Sequence, residues 1–151
     1  MVRSQSAMKK PVTIFFSYQF PGFRVRNATA VKRWLLDTFK NEKKKLSRIN
    51  FIFCSDKFLL DINKKYLRHN FRTDIITFEY NKKKSPVEGE IFISIERVKI
   101  NSENYDTTFS NELHRVMIHG VLHLCGYKDK TVDEKSEIQK REDFFLSCRK
   151  F

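Results

Sequence analysis

Apolar and polar positions alternate along this chain in two different rhythms. VTIFFSY (residues 12–18), RINFIFCS (48–55), TDIITFEY (73–80) and GEIFISIE (89–96) are runs of strand length, rich in β-branched and aromatic side chains. Between the first two, residues 28–47 put Ala28, Val31, Leu35 and Thr38 or Phe39 about one helical turn apart, with Trp34 and Leu46 beside that stripe. This predicts a helix whose last turn holds Lys43, Lys44 and Lys45, where the helix dipole favours cations. Ser55 or Asp56 is suited to cap a second helix running through Phe58, Leu59, Ile62 and Tyr66. NKKKSPVE, with Pro86 and three lysines, predicts an exposed turn between the third and fourth strands. Residues 97–151 are nearly all helical by pattern. The order β-α-β-α-β-β followed by helices predicts an α+β fold, a small mixed sheet of about four strands with helices packed on it. Residues 1–10 are expected to be a loose leader, with Met8 a candidate start, and residues 11–151 a single domain.

The composition narrows the classes further. A chain of 151 residues with 40% apolar side chains and only 4 Gly and 3 Pro is neither disordered nor fibrous. No apolar run reaches the ~20 residues of a membrane-spanning helix, and the N-terminus lacks the pattern of a secretory signal. Three cysteines, Cys54, Cys125 and Cys148, make no CxxC pair, so no disulfide partner is expected and a reduced cytoplasmic setting is. The formal charge is +12, and it is uneven: residues 1–50 carry a net +10, residues 51–100 a net +3 and residues 101–151 a net −1. A field of that sign favours a polyanion such as RNA.

The chemistry is concentrated in SNELHRVMIHGVLHLCGYKDK, residues 110–130. At 100° per residue, Leu113, Val116, Met117, Gly120 and Leu124 form one stripe, and Ile118, Leu122 and Cys125 lie opposite, as in a buried helix. His119 and His123 fall between the stripes at i and i+4, close enough for two ring nitrogens to reach one ion at ~2.0–2.1 Å. Gly126 suits a left-handed helix end. The chain then turns back, so that Asp129, six residues after His123, can supply a carboxylate to the same ion. The spacing is that of the extended zinc-protease motif with Asp in place of its third His. Two nitrogens and one oxygen leave the fourth tetrahedral position free for water, as a catalytic zinc site requires. The general base of such proteases, a Glu directly after the first His, is replaced by Gly120. Peptide hydrolysis by that route therefore lacks its proton acceptor, and hydrolysis has to lean on a metal-activated water or on a base from elsewhere.

These residues carry a family resemblance. HGVLHLCGYKD resembles the HGxLHLxGYDH signature of the YbeY family of single-domain bacterial metal-dependent endoribonucleases. NKKYLRHNFRTDIITFEY (63–80) and GEIFIS (89–94) resemble two further blocks of that family, so the likeness covers most of residues 50–130. It implies an α+β fold with a zincin-like active-site helix, one zinc ion per chain, and hydrolysis of RNA phosphodiesters in rRNA maturation and ribosome quality control. The implied partner is ribosomal RNA or the small ribosomal subunit. The metal ligands carry over to His119, His123 and, by position, Asp129, where the family usually has His. Asp is a harder ligand and lowers the charge of the site by one. The family's Arg after the Tyr of the middle block falls on Leu67 here. Arg68, the next residue, is the candidate for meeting the RNA backbone.

Other residues are weaker candidates. His69 is read as solvated or lining a cleft beside Arg68, and His114 as structural or exposed. Glu112 and Arg115 either support the site or pair on the helix surface, Asp74 either orients a ligand or caps a turn, and Cys125 belongs to the core. Two other readings remain at this level: a metal-dependent hydrolase of another substrate, and a non-enzymatic zinc-stabilised module that binds RNA or the ribosome. The latter would close its metal with a fourth side chain.

Overall fold

A computed structural model describes residues 13–81 and 86–151. The expected leader, residues 1–10, lies outside the described residues, as does part of the expected turn at NKKKSPVE. The elements are β1 (Ile14–Tyr18), α1 (Ala28–Asn41), β2 (Leu46–Cys54), α2 (Asp56–Leu67), β3 (Ile75–Glu79), β4 (Val87–Ser94), α3 (Ile95–Asn104), α4 (Phe109–Leu124) and α5 (Val132–Ser147). The α+β expectation and its element order hold.

The strands form one mixed sheet in the order β1-β2-β4-β3, parallel except for the antiparallel β3–β4 pair, in which Ile75 faces Ile93 and Glu79 faces Gly89. β3 is therefore an edge strand. Alternation along the strands sends Ile49, Phe51, Phe53, Ile91 and Ile93 into the main core with α1, α4 and α5. Cys54, Ile76, Phe78 and Phe92 go to the other face, where Leu59 and Ile62 of α2 cover them. The odd residues of β3 thus look toward α4 and the even ones toward α2.

Two expected boundaries move. The helix expected over 28–47 stops at Asn41, because Lys43 adopts a left-handed conformation (φ 58°) and the N–H of Lys44 bonds the carbonyl of Phe39. Leu46 then opens β2 opposite Val87, so Lys43–Lys45 lie in the connection and not in a helical turn. The fourth strand ends at Ser94, two residues early, since the Ser94 hydroxyl accepts the N–H of Arg97 and begins α3. Ser55, the expected cap, accepts the N–H of Phe58 and starts α2.

Candidate metal centre

α4 carries the two histidines, and its sequence explains where it lies. Ten of its sixteen residues are buried, as expected of a helix apolar on both sides. At Gly120 a Cβ would come within 2.9 Å of Ile75 Cδ1 and 3.1 Å of Ile91 Cγ2. Gly120 thus lets α4 lie close against the β3–β4 pair. It faces the sheet, so a glutamate base has no room there. This gives the missing protease base a steric cause.

Cys125 caps the helix and Gly126 follows at φ 107°. The N–H of Gly126 bonds the carbonyl of His123, and that of Tyr127 bonds the carbonyl of Leu122, both at 3.0 Å. This is the Schellman pattern, which reverses the chain in two residues. Five residues later a capping box closes the next turn. The Thr131 hydroxyl accepts the N–H of Glu134, and the Glu134 carboxylate accepts the N–H of Thr131. The loop that carries Asp129 is therefore fixed at both ends.

The result is a triangle of donor atoms. His119 Nε2 and His123 Nε2 are 2.9 Å apart, and Asp129 Oδ2 lies 3.2 Å from each. A triangle that small leaves a point about 2.1 Å from all three, the distance of a zinc ligand. The other ring nitrogens decide what this means. His123 Nδ1 lies 3.0 Å from the main-chain carbonyl of Tyr127, which only accepts, so Nδ1 carries the proton. His119 Nδ1 lies 2.6 Å from Glu142 Oε2 and donates to that carboxylate in the same way. Both Nε2 atoms therefore turn lone pairs toward a carboxylate oxygen, and only a proton or a metal ion can sit among them. The donor set fits a divalent ion, with His119, His123 and Asp129 as the residues able to hold it.

The surroundings are acidic and partly buried. Burial works against a charged His119 ring, but the hydrogen bond and charge of Glu142, with Asp129 and Asp74, outweigh it and hold the imidazole above its usual range. Glu142 is itself held by Arg115, whose Nη1 donates to Oε1 at 3.0 Å while Nη2 reaches Asp143 at 2.7 Å. Arg115 thus supports the site through Glu142, and Glu112 is not its partner. Glu112 is buried, and its carboxylate makes no hydrogen bond among the described residues. Burial and the nearby Asp74 push its carboxyl up to about 7. Asp74, raised chiefly by burial, accepts from Asn101 Nδ2 at 3.1 Å. Two cavities meet at His119 and Asp129: one of about 620 Å³ toward Glu112, Arg115 and Lys135, and one of about 260 Å³ toward Thr73, Thr77 and His123. Asp74 lines both.

In similarity this chain is not isolated. Residues 22–149 match the family model described as endoribonuclease YbeY. The chain belongs to the endoribonuclease YbeY family. Relatives called endoribonuclease YbeY include that of Cytophaga hutchinsonii, 46% identical over 142 residues (94% of this chain, 99% of that one). That of Amoebophilus asiaticus is 44% identical (88% and 90%), and that of Bacteroides fragilis 40% (87% and 92%). The fold resembles the solution structure of a Thermotoga maritima protein, with a TM-score of 0.62, 23% identity and coverage of 89% and 87%.

Of the residues singled out from the sequence, the fold brings together His119, His123 and Asp129, with Asp74 beside them. Arg68 is not in this group. It is exposed, in the left-handed conformation (φ 57°) at the C-cap of α2, and lines neither cavity. His69 is exposed and stacks on Phe71. His114 is buried against Trp34 and Phe151 and accepts from Arg149; burial, then that cation, lower it to about 4. Cys125 is in the core, its thiol pushed up to about 12 by burial. Sequence reading missed Glu142 and the Tyr127 carbonyl. A signal for Glu142 exists: it shares the buried stripe of α5 with Ile138 and Phe145, a core position where a carboxylate needs a reason.

Proposed function

We propose that this chain is a zinc-dependent endoribonuclease, a single hydrolase domain over residues 11–151 working in the cytoplasm on ribosomal RNA or the small ribosomal subunit, in rRNA maturation and ribosome quality control. The observation that carries the reading is the convergence of two Nε2 lone pairs and one carboxylate oxygen within 3.2 Å of one another. Membership of a family whose relatives are called endoribonucleases supports the RNA substrate. When bound, a divalent ion supplies Lewis acidity toward a phosphoryl oxygen and lowers the pKa of water.

The chain's own residues do the rest. Glu142 and the Tyr127 carbonyl hold the imidazoles as Nδ1–H tautomers, which keeps both Nε2 atoms available as ligands. Asp129 in place of a third neutral ligand leaves a dication with a net +1 at the site, still attractive to a phosphodiester. Lys135, on the wall of the larger cavity, is a cation for the backbone phosphates, and Arg68 is offered for the same task on the loop leading in. Among the described residues only three side chains converge, which favours an ion with a free position over a closed structural site.

Metal analysis of wild type and Asp129→Ala, with cleavage of a single-stranded RNA, tests the proposal. We expect stoichiometric zinc and cleavage in wild type, and at least a tenfold weaker hold on zinc with loss of cleavage in the variant. RNA cleavage by metal-stripped His119→Ala/His123→Ala protein would overturn the metal mechanism. Hydrolysis by the zinc form of peptides or esters but not RNA would overturn the substrate.

A further inference from the structure

We infer that the loop following α2 is a stacking platform for unpaired bases of single-stranded RNA, placed where a strand enters the metal cleft; this rests on the endoribonuclease reading. His69 and Phe71 stack face to face, with centroids 5.0 Å apart and planes 21° apart. Phe71 is 57% exposed, and Tyr66, at the end of α2, 60%. Tyr66 meets Phe78 of the smaller core edge-on at 6.1 Å, whereas the core does not account for the His69–Phe71 pair. The fold nevertheless commits buried and charged groups to holding them outward. Asn63, only 1% exposed, accepts the N–H of His69 on its main-chain carbonyl at 3.1 Å and donates from Nδ2 to the carbonyl of Phe71 at 2.8 Å. Beyond Phe71, Arg72 is tied to Asp56, which Arg97 also holds. The main chain is thus held on both sides of Phe71, and its ring, stacked on His69, faces water.

Charge and position identify the occupant. Lys64, Lys65 and Arg68 flank the rings, the Lys65 ammonium lies 5.3 Å from the Tyr66 ring centre, and the Arg68 guanidinium has no ion-pair partner among the described residues. Aromatic faces set among cations are the chemistry that holds single strands without reading their sequence. Phe71 is two residues from Thr73, so their Cα atoms are at most about 7 Å apart, and Thr73 lines the cavity with His119, His123 and Asp129. A base on the platform therefore places the next phosphates of the strand at the metal cleft.

The test compares zinc-loaded full-length wild type with Phe71→Leu and Phe71→Tyr, the first removing the π-face and keeping apolar bulk, the second keeping the face. The probes are a short single-stranded RNA carrying 2-aminopurine, read for anisotropy and base-stacking quench before turnover, and a duplex RNA of the same length. We expect Phe71→Leu to bind the single strand about tenfold more weakly and to lose the quench, with an unchanged salt slope and unchanged duplex binding. Phe71→Tyr should retain both signals. Hydrolysis of bis(p-nitrophenyl) phosphate by Phe71→Leu should equal wild type, as the ring does not touch the ligands. Unchanged single-strand affinity in Phe71→Leu overturns the platform and leaves this face to a protein partner, while RNA cleavage by wild type would still uphold the endoribonuclease reading. Failure of wild type to bind single-stranded RNA at all overturns both.

Discussion

Whether two histidines one turn apart form a ligand pair or a packed couple is decided by their Nδ1 partners. Each Nδ1 here spends its proton on an oxygen, one the side chain of Glu142 and the other the backbone of Tyr127. Glu142 is therefore as much part of the site as the ligands it orients. Replacing it with Ala frees the His119 tautomer and ring and strands Arg115 beside Asp143. The expected outcome is a 10- to 100-fold loss of zinc affinity in a chelator competition, with far-UV circular dichroism unchanged. Asp129 was reachable from the sequence because the Gly126 bend put it in register. Glu142 offered only its place on the buried stripe of α5 with Ile138 and Phe145, since no local spacing ties residue 119 to residue 142.

On the scale of elements, the decisive contact is α4 against β3 and β4. Gly120 permits it, and a methyl group there meets Ile75 and Ile91 closer than van der Waals contact allows. Gly120→Ala is expected to cost about 1–3 kcal/mol by urea denaturation, because Ile91 is fully buried and cannot retreat, although Ile75, the nearer neighbour, is only partly buried. Strand and helix types were legible from periodicity. Their ends were not where the backbone departed from local preference: Lys43 in the left-handed region stops α1 early, and Ser94 converts the end of an apolar strand into a helix start. The first depends on a partner distant in sequence, since Leu46 leaves the helical stripe to pair with Val87, whereas the second is a local cap on Arg97 that the apolar alternation of the strand masks.

For the whole molecule, two buried groups act on stability in opposite senses. His114, near 4 in the folded protein, binds its proton more readily when unfolded, so its contribution is present above about 6.5 and is lost as pH falls toward 4. Glu112, near 7 when folded, binds its proton more readily in the native state, so its contribution is present below about 4.5 and is lost as pH rises through 7. Between about pH 4.5 and 6.5 the two offset each other. Relative to wild type, stability of Glu112→Gln should therefore rise with pH across that window, and that of His114→Gln should fall. Each slope is at most ~1.4 kcal/mol per pH unit. Urea unfolding at half-unit pH steps measures both, and parallel profiles for the three proteins would contradict these environments. The positive field belongs to this scale too: +10 of the formal +12 comes from residues 1–50, whereas the metal cluster lies in the last third, whose own balance is −1.

By itself the sequence determined what is local or periodic: the α+β order, the buried character of α4, the i, i+4 histidine pair and the glycine bend that returns Asp129. Such features follow from side-chain spacing on a regular backbone, which a few adjacent residues dictate. Only the tertiary structure decided that the three donors meet within 3.2 Å, that Glu142 and a carbonyl set the tautomers, and that Arg68 stands at a helix end apart from the ion site. The contact of Glu142 with His119 above all depends on how α4 and α5 pack. Packing brings together atoms whose separation along the chain carries no trace of their distance in space.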